Sequence, residues 1–278
     1  MVDRNGSVDL KQDRAHSARI YDYFLGGKDN YPADREAAAQ IELAIPSVRA
    51  VARGNRAFMA RAVRHLSGSG VRQFLDIGTG IPTEPNLHQV AQESAPDARV
   101  VYVDNDPIVL AHARALLVGT PEGVTQYVQA DVTEPDRILA DPAVRDTLDF
   151  GNPVALSLIA LCHFVPGDRI YEIIDTLLAP LASGSFLVMT HLTTDFDPVM
   201  VEGTVQAYRQ SGIEMEARTR EGVSRFFHGM DVLEPGIVAI DSWYPEGAEA
   251  PPAPNVTQLD TGAPKPPAAG YAAVGRKR

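Results

Sequence analysis

The sequence predicts an α/β fold: a mostly parallel sheet, a helical extension ahead of it, and an antiparallel strand pair at its end. Three observations predict it. From residue 73 onward, short apolar runs alternate with helical patterns. The first seventy residues are helical in pattern and precede any strand. The last third breaks the alternation, and the chain ends on a late apolar run, Tyr271-Ala272-Ala273-Val274.

Residues 1–15 read as a loosely held polar lead, and residues 16–31 mix aromatics, a Gly-Gly pair and charges without a clean period. Pro32 and Asp34 introduce a helix rich in Ala and Glu. Pro46 begins a longer one, in which Val51, Ala52, Phe58, Met59, Ala62 and Leu66 recur at three- and four-residue steps. Ser67-Gly68-Ser69-Gly70 ends it. Strands are expected at Gln73–Ile77, Arg99–Val103, Thr125–Gln129, Pro153–Leu161 and Ser185–Thr190. The fourth is apolar almost throughout, as suits a strand covered on both faces. Between them lie the helices HQVAQESA and DPIVLAHARALL, the second with Asp106 as cap and Pro107 at its first position. A third helix presents Ile170, Ile173, Ile174, Leu177 and Leu178 on one face. A helix from Thr219 to about His228 follows, then strand material from Val232 to Trp243 broken by Pro235-Gly236. The Pro-, Gly- and Ala-rich residues 245–270 read as a long surface loop. The expected organisation is one structural unit: a helical cap or lid over residues 1–70 and a ligand-binding domain over 71–278.

The 278 residues carry 36 acidic and 25 basic side chains, a net charge of −11. A protein that tracks a nucleic-acid backbone carries a basic surplus, so nucleic acid is not expected as a partner. Met1 to Gln12 lack the apolar core of a signal peptide, and no apolar run reaches the ~20 residues of a membrane span. A cytoplasmic location with no membrane partner is therefore expected. The one cysteine, Cys162, lies in an apolar run; it excludes an internal disulfide, reads as a buried thiol, and leaves no Cys-rich metal site. No metal is expected.

Ligands of parallel sheets bind at the carboxyl ends of the strands, so the chemistry is sought just after residues 77, 103, 129, 161 and 190. Asp76-Ile77-Gly78-Thr79-Gly80 closes the first strand. Two glycines spaced by one residue let the backbone turn sharply and approach a ligand closely. A dinucleotide site wants a third glycine, so that pyrophosphate can sit on the helix N-terminus. Here Ile81-Pro82-Thr83 follows instead. S-adenosylmethionine has no phosphate to cradle, and Asp76 suits its ammonium better than it suits a pyrophosphate. Asp104, followed by Asn105, ends the second strand, where an acid can accept both ribose hydroxyls. Asp131, followed by Val132, ends the third, where a carboxylate can accept an adenine amine and backbone N–H groups can meet a ring nitrogen.

Together the stretches SARIYDYFLGGKDNYPADREAA, FLDIGTGIPT, VVYVDNDPIVLAHARALL, PVALSLIALCHFV and RTREGVSRFF resemble the actinobacterial S-adenosyl methyltransferase family, once a domain of unknown function. The resemblance spans nearly the whole chain, including the terminal YAAVGRK. It implies the seven-stranded, Rossmann-like sheet of class I methyltransferases, S-adenosyl-L-methionine as cofactor, and a small-molecule acceptor. Pro82 departs from the general superfamily and agrees with this family. The family's N-terminal element suggests a lid, its Gly26-Gly27 letting the backbone fold over the cofactor; the other reading is a structural plug. Lid or acceptor candidates are Tyr21, Tyr23, Lys28, Asn30 and Tyr31, since a cation over an aromatic face gains about 0.5–2 kcal/mol. Arg49, Arg53 and Arg56 share one helix face and could hold an anionic acceptor, or be a solvated face. His163 is a candidate base or positioning group, Tyr21 a weaker catalytic candidate, and His191 weaker than His163. The expected function is methyl transfer; a non-catalytic S-adenosylmethionine sensor and a nicotinamide-dependent oxidoreductase remain as alternatives.

Overall fold

The computed structural model describes residues 12–116, 119–245 and 269–278. Three helices come first: α1 (Ser17–Leu25), α2 (Pro32–Ala44) and α3 (Val48–Gly68). Alternation follows, with β1 (Gln73–Ile77), α4 (Leu87–Ser94), β2 (Arg99–Asp104), α5 (Pro107–Leu116) and β3 (Val124–Gln129). Two short helices, α6 (Pro135–Ala140) and α7 (Pro142–Thr147), lead to β4 (Val154–Leu158), α8 (Arg169–Leu178) and β5 (Phe186–Leu192). The chain closes with α9 (Pro198–Gln210), α10 (Arg220–Arg225), β6 (Met230–Val232), β7 (Val238–Ala239) and β8 (Gly270–Lys277). The expected loose lead falls on residues 1–11, and most of the expected 245–270 loop on 246–268, outside the described residues.

The sheet runs β3-β2-β1-β4-β5-β8-β6, with β7 also on β8. β1 to β5 are parallel, and β8 is antiparallel to β5, β6 and β7. β6 pairs with residues 275–277 and β7 with 271–272, so the two share one edge and the sheet has seven positions. Pro235-Gly236 falls at the break between them. Strand order reverses between β1 and β4, which places a ligand crevice above their carboxyl ends.

Alternate residues of each strand feed two cores. Leu75, Ile77, Val101, Val103 and Leu156 join the Ile and Leu face of α8 on one side. Phe74, Val100, Tyr102 and Ala155 join Phe58, Met59, Ala62 and Leu66 of α3 on the other. Burying each large aliphatic side chain contributes roughly 1.5–3 kcal/mol. A third cluster joins Ile20 and Phe24 of α1, Ala38 and Ile41 of α2, Ala52 of α3 and Tyr208 of α9. α3 thus serves both the cap and the sheet.

Several boundaries differ from expectation, each for a local reason. α1 forms where no period was legible, because Arg19 and Asp22 are buried alongside Ile20 and Phe24. The His16 side chain caps its start, and Gly26 ends it at φ 83°, the left-handed conformation glycine favours. β4 stops at Leu158 rather than Leu161, since Ala160 turns to φ 53°. α9 was not foreseen; Asp197 caps it by accepting from the Met200 N–H at 2.9 Å, with Pro198 first in the helix. Among the described residues, no helix is long and apolar enough to cross a membrane.

Candidate active site

A cavity of about 230 Å³ opens above the carboxyl ends of the strands, where the order reverses. The turn after β1 forms its floor. Gly78 and Gly80 have φ of 76° and 69°, so both positions favour glycine. A Cβ at Gly78 would also strike the Leu161 side chain in the loop after β4, whereas at Gly80 it would meet open space. Gly78 therefore lets two loops close on each other, and Gly80 leaves the floor bare. The Thr79 hydroxyl donates to the Asp76 carbonyl at 3.1 Å and tightens the turn. Burial pushes the Asp76 carboxyl up to about 6, against the opposing pull of the Ser157 hydroxyl and the Arg56 charge.

Asp104 ends β2 beside this turn. Its Oδ2 accepts from the Gly80 N–H at 2.8 Å and its Oδ1 from the Asp106 N–H at 2.9 Å. Burial still raises its pKa, more than those two bonds lower it. Asp106 is the helix cap expected of it, accepting from the Ile108 N–H at 2.9 Å. After β3, Asp131 Oδ1 accepts from the Thr133 N–H and hydroxyl, and Oδ2 from Asn105 Nδ2 at 3.1 Å. For Asp131 burial pushes the pKa up, and these bonds outweigh it and hold it low. Asp76, Gly78, Thr79, Gly80, Asp104, Asn105, Asp131 and Val132 all line the one cavity.

The N-terminal segment supplies the opposite wall, through His16, Ser17, Ala18 and Tyr21. Buried ion pairs hold it in place. Arg19 Nε lies 3.3 Å from Asp34 Oδ1 and 3.7 Å from Asp106 Oδ2, and the half-buried His16 ring stands beside Asp106. The cap is thereby tied to the residue two places beyond Asp104. Tyr21 donates its hydroxyl to the Ala52 carbonyl at 3.0 Å, and burial pushes its pKa up to about 12, so it stays protonated.

The other lid candidates stand elsewhere. Tyr23 stacks under the Arg49 guanidinium, Lys28 is exposed, and the Tyr31 ring lies under Arg19. Asn30 donates from Nδ2 to Asp22 Oδ2 at 2.8 Å. Gly26-Gly27 is a helix-ending turn packed on Asp22 rather than a strap across the cavity. Nor do the three arginines converge. Arg49 pairs with Glu42 and Arg53 is exposed, while Arg56 lines the cavity and donates to the Thr83 and Pro85 carbonyls at 2.6 Å.

The two histidines are buried and neutral. His191 Nδ1 donates to the Leu192 carbonyl at 2.7 Å, so its Nε2 accepts from Arg218 at 3.0 Å and neither nitrogen is free for a proton transfer. Burial brings its pKa down to about 3. His163 is also pushed well below the ordinary range by burial, and its Nδ1 has no hydrogen-bond partner. Burial raises the Cys162 thiol to about 12, in keeping with a structural role. Sequence reasoning did not find His16, Asn55 or Ala160. The Ala160 N–H donates to Thr190 Oγ1 at 2.9 Å, which holds a non-glycine residue in the left-handed region at a cost of about 1–3 kcal/mol. Such strain gathers at functional sites. A wider groove of about 900 Å³ lies at the opposite, amino ends of the strands. Its Arg72 is paired with Asp97, and its Arg99 is bound to the Thr147 carbonyl.

No curated protein matches the chain. A DUF574 family protein from Streptomyces avermitilis MA-4680 is 47% identical over 97% of this chain and 100% of its own, with a TM-score of 0.88. A candidate methyltransferase from Thermobifida fusca YX is 38% identical over 97% of each chain, with a TM-score of 0.85. The plantazolicin methyltransferase BpumL, solved with SAH and a triazolic desmethylPZN analogue, shares the fold at 14% identity and a TM-score of 0.50, over 94% of this chain and 96% of its own. The sequence model of one family, described as S-adenosyl methyltransferase, matches residues 3–278, and the chain belongs to that family of S-adenosylmethionine-dependent enzymes with the class I methyltransferase fold.

Proposed function

We propose that the chain methylates a small-molecule acceptor, holding S-adenosylmethionine in the cavity above β1, β2 and β3. One observation carries this reading: Asp76, Asp104 and Asp131 line a single cavity around a bare glycine turn. That donor set fits the cofactor. Half-buried carboxylates suit hydroxyls, amines and an ammonium, and would repel a phosphate. The raised Asp76 carboxyl is that of a half-buried acid short of positive charge, which the cofactor's ammonium would supply. Asp104 keeps unused lone pairs for ribose hydroxyls, because each oxygen accepts one backbone bond. Asp131 is held ionised, ready to accept from an adenine amine, with Val132 beside it. Arg56 is the one of the three arginines that lines the cavity and so the one placed to meet a carboxylate.

When bound, the cofactor supplies an electrophilic methyl on a positively charged sulfur. What the protein must add is orientation and the exclusion of water, and holding two reactants in attack geometry can supply about 7–11 kcal/mol. α1 and the Arg19 ion pairs keep the upper wall over the floor. A cavity of about 230 Å³ favours a small acceptor, and the net charge of −11 speaks against a nucleic-acid one.

Titration calorimetry with S-adenosylhomocysteine tests the reading. Hydrogen bonds to a charged group contribute about 1.5–3 kcal/mol, so Asp104→Ala is expected to weaken binding by about one to two decades. Unchanged affinity in a variant with wild-type circular dichroism would remove Asp104 from the site.

A further inference from the structure

Behind the cofactor cavity lies an inner recess of about 70 Å³. Tyr21, Ala160 and Phe164 line both spaces, so they form the neck between them. Ala160, the strained residue, stands in that neck. Most of the recess wall is apolar, with Phe24, Ile45, Leu192, Tyr208 and Met215 among its residues. Among the described residues, no Asp, Glu, Lys or Arg lines it.

Several polar groups on the wall are already used. Tyr21 donates to Ala52, Thr190 accepts from Ala160, and both His191 nitrogens are bonded. Two are not. Asn55 Oδ1 and His163 Nδ1 have no hydrogen-bond partner, although the residues are only 5% and 9% exposed. A buried polar atom left unpaired destabilises a fold, and native proteins rarely keep one without a reason. Here the two residues that carry these unpaired atoms line one small space that opens onto the cofactor cavity.

The geometry points to this recess as the acceptor subsite, taking an uncharged, largely apolar group that carries hydroxyl or N–H donors for Asn55 Oδ1 and His163 Nδ1. The inference rests on the cofactor reading, since the neck gives the recess its access to the methyl. Its size sets the shape of the ligand. A cavity of roughly 150 Å³ holds benzene, so about 70 Å³ admits the edge of one ring or a short branched chain, with the rest in the neck. An ionised acceptor is disfavoured, because no countercharge lines the recess to offset its lost hydration. His163, held neutral by burial, can accept a hydrogen bond at neutral pH.

The test uses the full chain saturated with S-adenosylhomocysteine, with p-cresol and benzoate as probes of similar size and opposite ionisation. Calorimetry and saturation-transfer NMR are expected to show one p-cresol site, with benzoate at least about tenfold weaker. Asn55→Leu fills the same space without the carbonyl. It is expected to weaken p-cresol about tenfold, leave S-adenosylhomocysteine affinity within about twofold, and leave the thermal midpoint equal or higher. If that variant does not fold, His163→Phe provides the same comparison. Normal S-adenosylhomocysteine binding without p-cresol binding would overturn the recess alone, leaving it a site for ordered water. Benzoate binding as tightly as p-cresol, or p-cresol affinity unchanged in the folded variant, would overturn it too. Loss of S-adenosylhomocysteine binding in the wild type would strike the cofactor reading first, and the recess with it.

Discussion

At the scale of single residues, the site turns on acids that are half-buried before any ligand arrives. Asp76 is pushed from 3.8 to about 6 chiefly by burial. A cationic ammonium beside it favours the carboxylate, so below pH 6 binding must release the proton that Asp76 holds. S-adenosylhomocysteine affinity is therefore expected to be flat above pH 7 and to fall by up to about tenfold per unit below pH 6. Asp76→Asn should abolish that slope in calorimetric titrations across pH; a slope that survives the substitution would assign the proton to another group. Stability runs the other way. A folded pKa above the unfolded one gives a contribution present below about 3.8 and lost as pH rises through about 6, so the unliganded fold bears an ionised Asp76 at neutral pH. The acids were legible in the sequence because each closes a strand, and a parallel sheet gathers strand ends. Which of Tyr21, Tyr23 and Tyr31 lines the cavity was not legible, since that depends on how α1 rolls against α3.

At the scale of elements, the cap is held by charge as well as by its apolar face. Arg19 sits between Asp34 of α2 and Asp106, both buried. Removing one partner of a buried ion pair leaves uncompensated charge and costs about 3–5 kcal/mol. Arg19→Met is expected to lower stability in urea by about that amount. It should also weaken S-adenosylhomocysteine, because Asp106 adjoins the Asp104 turn; a loss of stability with full affinity would make the cap a plug rather than a wall of the site. The pair explains why α1 escaped detection: buried Arg19 and Asp22 interrupt the apolar period that marks a helix. α9 escaped for a different reason. Asp197-Pro198 is the same start signal as Asp106-Pro107, but polar Thr204 lies on the buried face and apolar Val199 is exposed, which blurs the period that follows. The same signal also opens α7 at Asp141-Pro142, where Asp141 accepts from the Ala143 N–H at 2.8 Å.

At the scale of the whole molecule, three apolar clusters meet at one crevice. The sheet has a core on each face, the cap has its own, and α3 joins the cap to one of the sheet cores. Strand alternation made the parallel sheet legible, and the apolar terminal run made the antiparallel end legible. The inner recess was not, because its walls come from α1, α3, α9 and the ends of β4, β5 and β8, which nothing in local sequence brings together. The cofactor cavity and the recess share a neck, so a bound cofactor is expected to present its reacting end there. A crystal structure of the full chain with S-adenosylhomocysteine measures this most directly. The ribose hydroxyls are expected to be hydrogen-bonded to Asp104, with the sulfur facing Tyr21, Ala160 and Phe164. A ligand bound outside this cavity, or one whose sulfur points away from that neck, would contradict it.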